Sequence, residues 1–256
     1  MLKAAKHQLD VLGSVATSTL AGWRGTSVTQ AACQPRLPLK LYDMEGSPHC
    51  RVVREALTAL GLDAAIYPCP RGGQRFRPDV LRLGGKLQFP FFVDPNTRTR
   101  MYESADIVDY LFRTYGGGAT PPGYRAGVLT PTLEGLGSLV RGLRGTQARA
   151  SHAPKRPLAL WSFESSPYSR LVRERLTELE LPYTLHNLGK EQFADMGPAV
   201  LRVKPGPYQP KKGGKREKVL KQLGRVQLPY LEDPNTSTKL FESAAIIDYL
   251  ERQYAA

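Results

Sequence analysis

The sequence predicts an α/β protein made of two copies of one small β-α-β-α-β-β-α unit. The 256-residue chain matches itself in two blocks: residues 51–62 and 170–181 are identical at 8 of 12 positions, and residues 89–115 and 228–254 at 15 of 27. Short apolar runs alternate with stretches of helical periodicity in both copies, as expected for helices packed on a sheet. Each copy spans about 80–100 residues, which suits a small domain.

The first copy begins with a strand at 39–42 and a turn at 45–48. Pro48 suits the first position of a helix, and Ser47 suits the capping position before it. Gly61 ends this helix in the left-handed conformation that glycine favours. The spacing predicts that the helix buries one broad apolar face, formed by Val53, Leu57 and Leu60 together with Val52 and Ala56.

A second strand is predicted at 64–67 and a weaker helix near 78–83. Two further strands follow, one at 89–93 and one that ends at Tyr102, joined by a Pro-Asn turn. The last helix begins at Ser104 and carries apolar residues at helical spacing. The second copy follows the same path from residue 158 to residue 254. We expect a leader at 1–36, domains at 37–116 and 157–256, and a linker at 117–156.

The net charge is +13, from 36 Lys+Arg against 23 Asp+Glu, and it is unevenly distributed. Residues 202–225 hold nine basic side chains and one acidic one, a local net charge of 9 − 1 = +8. The second copy is about 20 residues longer in this interval, so we expect a basic insertion at 202–225. It is either a solvated loop or a surface for an acidic protein or another anionic partner. No aromatic residues alternate with the basic ones, which does not favour single-stranded nucleic acid.

The leader has one acidic residue, Asp10, among Ala, Ser, Thr, Leu and Arg, a composition typical of an organelle transit peptide. The alternative is an amphipathic helix of the mature protein, with Leu2, Leu9, Leu12 and Val15 on one face. In the linker, a helix is predicted with Leu129, Leu133, Leu136, Val140 and Leu143 at helical spacing. It would either bridge the two domains or lie on a membrane surface.

Several classes of protein are excluded by composition. The sequence has no run of about 18 apolar residues, so a membrane-spanning helix is not predicted. The three cysteines, Cys33, Cys50 and Cys69, are too few and too scattered for a disulfide framework or a four-cysteine zinc site. The four histidines show no metal-binding spacing, so no metal is expected.

Three motifs occur in the same order in both copies: a Ser-Pro turn that opens the first helix, a proline at the third strand, and a Glu-Ser pair that opens the last helix. Together they resemble the thioredoxin-like N-terminal domain of glutathione transferases and the related glutaredoxins. Residues 37–256 more closely resemble a plant and algal plastid family with two such domains in tandem and no all-helical transferase domain. The resemblance implies a chloroplast location and glutathione as ligand or cosubstrate.

The resemblance also implies a glutathione site on each copy. Pro90 and Pro229 stand where such folds carry a cis proline, so the backbone groups of Phe89 and Leu228 are expected to pair with the peptide backbone of glutathione. The pairs Glu103-Ser104 and Glu242-Ser243 lie at a helix N-terminus, which can hold the γ-glutamyl carboxylate. The alternative for these two pairs is an ordinary helix cap.

The first turn departs from the glutaredoxin pattern Cys-Pro-x-Cys. Its sequence is Ser47-Pro48-His49-Cys50 in the first copy and Ser166-Pro167-Tyr168-Ser169 in the second. A helix dipole contributes roughly 0.3–2 kcal/mol, too little to ionise a serine hydroxyl at neutral pH. Ser47 and Ser166 therefore either donate a hydrogen bond to the glutathione sulfur or only cap their helices. Cys50 is either a buried small side chain or a weak redox thiol.

The sequence thus predicts a glutathione-binding protein, similar to glutathione transferases and glutaredoxins, with weak conjugation or thiol transfer. The alternative is a non-catalytic interaction module of the plastid that has kept the fold and lost the chemistry. The absence of the first cysteine from both copies favours this alternative.

Overall fold

A computed structural model describes residues 2–125, 143–198 and 206–256. The order of strands and helices predicted for each copy is confirmed, and the predicted linker helix lies almost entirely in 126–142, outside the described residues. The first part of the chain contains α1 (Leu2–Leu20), β1 (Leu39–Asp43), α2 (Pro48–Leu60), β2 (Ala64–Pro68), α3 (Arg77–Gly84), β3 (Phe91–Asp94), β4 (Thr99–Met101) and α4 (Ser104–Tyr115). The second contains β5 (Leu158–Ser162), α5 (Pro167–Glu178), β6 (Tyr183–Asn187), α6 (Lys215–Leu223), β7 (Tyr230–Asp233), β8 (Thr238–Phe241) and α7 (Ser243–Tyr254).

The two copies share one eight-stranded sheet in the order β4-β3-β1-β2-β6-β5-β7-β8. Within each copy the first two strands of the chain pair in parallel, β1 with β2 and β5 with β6. The other two strands are added antiparallel on the far side of β1 and of β5. The copies meet where β2 pairs antiparallel with β6, so that Ala64 lies opposite Leu185 and Ile66 opposite Tyr183. Each copy therefore covers the edge strand of the other, which would otherwise offer unpaired backbone groups.

One hydrophobic core runs beneath both halves of the sheet. It includes Leu41 and Leu57 from the first copy and Leu160 and Leu176 from the second, all fully buried. On the opposite face, Val80 of α3 packs beside Phe91, and Val219 of α6 packs in the equivalent cluster of the second copy. The two domains thus form one packing unit rather than independent modules.

Helix α2 is buried around its whole circumference from Cys50 to Leu60, not on one face as the periodicity predicts. Its second face carries Arg54, whose guanidinium contacts Glu164 of the other copy, with Nε 2.9 Å from Oε2. Reciprocally, Arg173 of α5 contacts Glu45 of the first copy, with Nη2 2.9 Å from Oε1. We call Glu45, Arg54, Glu164 and Arg173 the cross-paired cluster.

Further ion pairs extend the cross-paired cluster to four arginines and four carboxylates. Arg54 also pairs with Asp43, and Glu55 pairs with Arg51 and with Arg24 of the leader. All eight side chains except that of Arg24 are nearly inaccessible to solvent. Charges buried this deeply persist because each is paired with at least one opposite charge, and Glu45, Arg54, Glu164 and Arg173 each with two or more.

Two similar loops, one in the leader and one in the linker, make backbone hydrogen bonds to the first turns of the two copies. Gly25, in the leader, accepts a hydrogen bond through its carbonyl from Ser165 N at 3.2 Å, and Gly145, in the linker, accepts one from Gly46 N at 3.2 Å. Gly25 has φ +72°, and a Cβ there would lie 2.7 Å from Cβ of Glu164, so glycine is required. Leader and linker therefore take equivalent places in the fold, each against the first turn of the opposite copy.

Helix α1 exists, but it buries a different face from the predicted one. Leu9 and Leu12 are 68% and 63% exposed, whereas Val11, Ser14 and Ser18 are buried. The buried side is largely polar because α1 packs against α5, where Arg170 donates to Ser18 Oγ at 3.2 Å. An apolar stripe could not satisfy that guanidinium.

The basic run 202–225 is only partly an insertion. Its C-terminal half forms α6, which occupies in the second copy the place of α3 in the first. Arg216 is buried and donates to the carbonyls of Leu188 and Gly189, as Arg77 does to those of Cys69 and Pro70. Part of the charge therefore belongs to the shared fold.

The repeated Asp-Pro-Asn-Thr motif is structural. Asp94 accepts hydrogen bonds from Tyr110 at 2.6 Å, from Tyr115 and from Asn96. In the second copy Asp233 accepts from the equivalent residues, Tyr249, Tyr254 and Asn235. The motif therefore ties the turn after the third strand to the last helix. Within the described ranges, no helix is long and apolar enough to cross a membrane.

The cross-paired cluster predicts a pH-dependent cost for Glu164→Gln. Although burial opposes ionisation, Arg173 and Arg54 lower the pKa of Glu164 from 4.5 to about 2. Its charged form therefore contributes stability that is fully present above pH 4.5 and is lost as the pH falls towards 2. We expect the substitution to lower the free energy of unfolding by about 3–5 kcal/mol at pH 7 and by less at pH 3.

Denaturant unfolding at both pH values measures this effect. Asp79→Asn, which removes an exposed ion pair with Arg82, is the control and should cost under about 1 kcal/mol. A loss for Glu164→Gln that equals the control, or that is the same at pH 3 and pH 7, would contradict the interpretation.

Candidate ligand-binding site

The three repeated motifs of the second copy come together at one end of the sheet. Ser166, the Leu228-Pro229 pair and the Glu242-Ser243 pair all line one cavity of about 790 Å³. The bonds before Pro229 and Pro90 are both cis. The fold thus brings together every predicted site residue of the second copy.

The serine of each first turn caps the helix that follows it. Ser166 Oγ accepts from Ser169 N at 3.3 Å, and Ser47 Oγ accepts from Cys50 N at 3.4 Å. Both serines are therefore helix caps in the structure. Because a hydroxyl accepts through its oxygen and donates through its proton, capping leaves the O–H free to donate to a ligand. Capping and ligand binding are compatible at both positions.

The Glu-Ser pairs are not ordinary helix caps. Glu103 and Glu242 precede α4 and α7 with φ +66° and +68°, in the left-handed region, and neither side chain caps its helix. An ordinary cap is extended and accepts a hydrogen bond from the first turn. Strained backbone of this kind is concentrated at ligand sites. The backbone N–H groups in the first turns of α4 and α7 therefore receive no hydrogen bond from these glutamate side chains and can donate to a ligand.

A glutamine holds each of these glutamates. Gln88 donates its amide to Glu103, and Gln227 donates to Glu242. Sequence reasoning missed both glutamines, although each stands two residues before the cis proline in its copy. That repetition is the signal that could have identified them. The same signal applies to Arg54 and Arg173, which are identical between the copies and are not among the residues of the predicted apolar face.

Cys50 is not placed to act as a redox thiol. Its side chain is fully buried, and burial, together with the nearby Asp43 carboxylate, raises its pKa to about 12. Cys69 is also buried, with a pKa raised by burial. The thiolate that thiol exchange requires is therefore unavailable at either position. The structure agrees with the alternative prediction, in which Cys50 is a small buried side chain.

The leader contributes to the cavity of the second copy. Val11 and Val15 of α1 and Trp23 in the following loop line it. His7 Nε2 lies 3.0 Å from Oγ of Ser243, within hydrogen-bonding distance. On the other side, Lys190 donates to the carbonyl of Gly197 at 3.0 Å. Sequence reasoning did not connect the leader with the site.

The first copy repeats the backbone of this site. The cis bond joins Phe89 to Pro90, and Ser104 begins α4 after the strained Glu103. Arg77 stacks over the ring of Phe89, with its guanidinium carbon 4.9 Å from the ring centroid. No group of three or more side chains suited to hold a metal occurs among the described residues.

A family profile described as "Glutathione S-transferase, N-terminal domain" matches residues 41–119 and, a second time, residues 160–256. A solved structure described as the "structural characterization of catalytic site of a Nilaparvata lugens delta-class glutathione transferase" is 30% identical over the aligned part. The match covers 31% of this chain and 37% of that chain, with a TM-score of 0.27. This chain therefore corresponds to less than half of that transferase. No curated protein matches the chain.

The burial of two of the three cysteines predicts selective alkylation. We expect iodoacetamide to label Cys33, which is exposed, and to leave Cys50 and Cys69 unlabelled in the folded protein. Mass spectrometry of proteolytic fragments measures the labelling, and the unfolded protein, labelled at all three positions, is the control. Labelling of Cys50 at the rate of Cys33 would contradict its buried state.

Proposed function

We propose a glutathione-binding function on the premise that the chain belongs to the glutathione S-transferase N-terminal domain family, whose profile matches both copies. One observation carries the proposal: Ser166, Pro229 and the Glu242-Ser243 pair, which are far apart in sequence, line the same cavity. The volume of about 790 Å³ lies in the range of small-molecule sites.

The chemistry of each group suits one part of the tripeptide. The N-terminus of α7, led by Ser243, offers N–H groups and partial positive charge to the γ-glutamyl carboxylate. The Glu242 carboxylate, which is solvent-exposed and held by Gln227, suits the ligand's ammonium group. Leu228 lines the cavity, and we expect its backbone to pair with the peptide backbone of glutathione in the manner of an added strand.

Ser166 suits the sulfur end of the ligand. A hydrogen bond from its hydroxyl to the glutathione sulfur would favour the thiolate form over the thiol. The nucleophile would then be glutathione itself, attacking an electrophile that the cavity also holds. Weak conjugation is therefore the activity we propose, and the burial of Cys50 argues against glutaredoxin-like thiol transfer through that residue.

The rival function is a non-catalytic interaction module. It is favoured by one observation, that no cysteine side chain of either first turn is accessible. Lys211, Lys212, Lys218, Lys221 and Arg225 are exposed and would form its contact with an acidic protein or another anionic surface. A chloroplast location, suggested by the acid-poor leader, stands as a proposal for either function.

Calorimetry on the full chain tests glutathione binding. We expect measurable binding that weakens about tenfold or more in the double variant Glu103→Ala/Glu242→Ala, since each substitution removes a charged partner of the ligand. The double variant Arg113→Ala/Arg252→Ala removes exposed charged side chains from the last turns of the same two helices and should bind as the unaltered chain does. Absence of heat from the unaltered chain would leave the interaction module as the better proposal.

The role of the serines has its own test, the pKa of bound glutathione, followed by the ultraviolet absorbance of its thiolate. In Ser47→Ala/Ser166→Ala we expect this pKa to rise by roughly one unit, because the hydrogen bond that favours the thiolate is lost. The matched control is Cys50→Ala/Ser169→Ala, which alters the buried fourth position of each turn. Equal pKa values in the two double variants would show that the serines only cap their helices.

A further inference from the structure

Helix α1 is anchored directly to the first turn of the second copy. Ser18 Oγ donates to the carbonyl of Ser165 at 2.8 Å, and Ser165 is the residue before Ser166. Ser14 and Ser18 of α1 are fully buried. The helix therefore has a fixed position relative to the site, although it precedes the first copy in the chain.

The lining of the cavity includes both polar and apolar side chains, and Gln8 of α1 is among the polar ones. Ser166, Gln227, Glu242 and Ser243 supply polar groups. Val11 and Val15 of α1 supply apolar surface, with Phe163, Met196 and Pro198 also lining the cavity. The volume of about 790 Å³ is in the upper part of the range for small-molecule sites, so a group attached to the sulfur of the tripeptide has room.

We propose that α1 forms the apolar wall of the second copy's site, and that this site takes glutathione bearing an apolar S-alkyl or S-aryl group, packed against Val11 and Val15. The inference rests on the proposed glutathione-binding function and adds the substrate class. In a chain with no all-helical domain among its described residues, the leader would supply the surface on which the apolar group is desolvated.

The inference bears on the predicted transit function of residues 1–36. Removing them would remove Val11, Val15 and Trp23 from the cavity and the Gly25 contact from the turn before Ser166. The second site would then bind glutathione without its apolar wall. Selectivity for S-substituted glutathione is therefore a property of the chain that retains α1.

Trp23 provides a local signal for this site. The chain has two tryptophans, and Trp161 of β5 is stacked on His186 of β6 and does not line the cavity. In a full-length Trp161→Phe chain, emission from Trp23 therefore reports the second site alone. The two ligands to compare are glutathione and S-hexylglutathione.

In this background we expect S-hexylglutathione to bind about tenfold or more tightly than glutathione, because the hexyl group leaves water. Val15→Asn should reduce that preference by about threefold or more, since the new amide would lie where the hexyl group of the ligand packs. It should leave the affinity for glutathione within about twofold. Leu12→Asn is the matched control: the same change on the same helix at a side chain that is 63% exposed, expected to alter neither affinity.

Each alternative result has a distinct meaning. Equal affinity for the two ligands, or a preference that Val15→Asn leaves unchanged, would overturn the role of α1 while the proposed function stands. Loss of glutathione binding itself in Val15→Asn would also overturn it, because α1 would then support the fold of the site rather than its selectivity. Absence of any response to both ligands, with no heat in calorimetry, would overturn the proposed function together with this inference.

Discussion

The arrangement of both sites depends on the cross-paired cluster. Glu45 lies two residues before Ser47, and Glu164 lies two residues before Ser166. Each glutamate is held by an arginine from the opposite copy as well as its own: Arg173 reaches Glu45, and Arg54 reaches Glu164. The turn that positions each serine is therefore fixed by the other half of the molecule. Neither half could keep this geometry alone without leaving charges buried and unpaired.

The other links between the copies reinforce this constraint. Pairing of β2 with β6 sets the register of the halves, and the loops at Gly25 and Gly145 close over the turns that carry the glutamates. The cluster is not symmetric: Asp43, beside Arg54, is replaced by Ser162 beside Arg173. Burial raises the pKa of Asp43 to about 6, although the guanidinium of Arg54 favours the charged form of this carboxylate.

The local structure and the site motifs could be predicted, because both follow from short patterns. The cap at Ser47, the proline after it and the apolar spacing of α2 are local signals, and duplication made each visible twice. The joining of the copies could not be predicted, since β2 carries no pattern that specifies β6 as its neighbour. Arg54 escaped prediction because a buried, paired charge has the same periodicity as a solvated one. The predicted buried face of α1 was wrong because serines, rather than leucines, make the buried contacts of this helix.

A crystal structure of the full chain with S-hexylglutathione tests the central claim most directly. The account predicts the γ-glutamyl group at the N-terminus of α7, the sulfur beside the hydroxyl of Ser166, and the hexyl chain along Val11 and Val15 of α1. A ligand bound away from the cavity, or one that displaces α1 and extends its hexyl chain into solvent, would contradict the account.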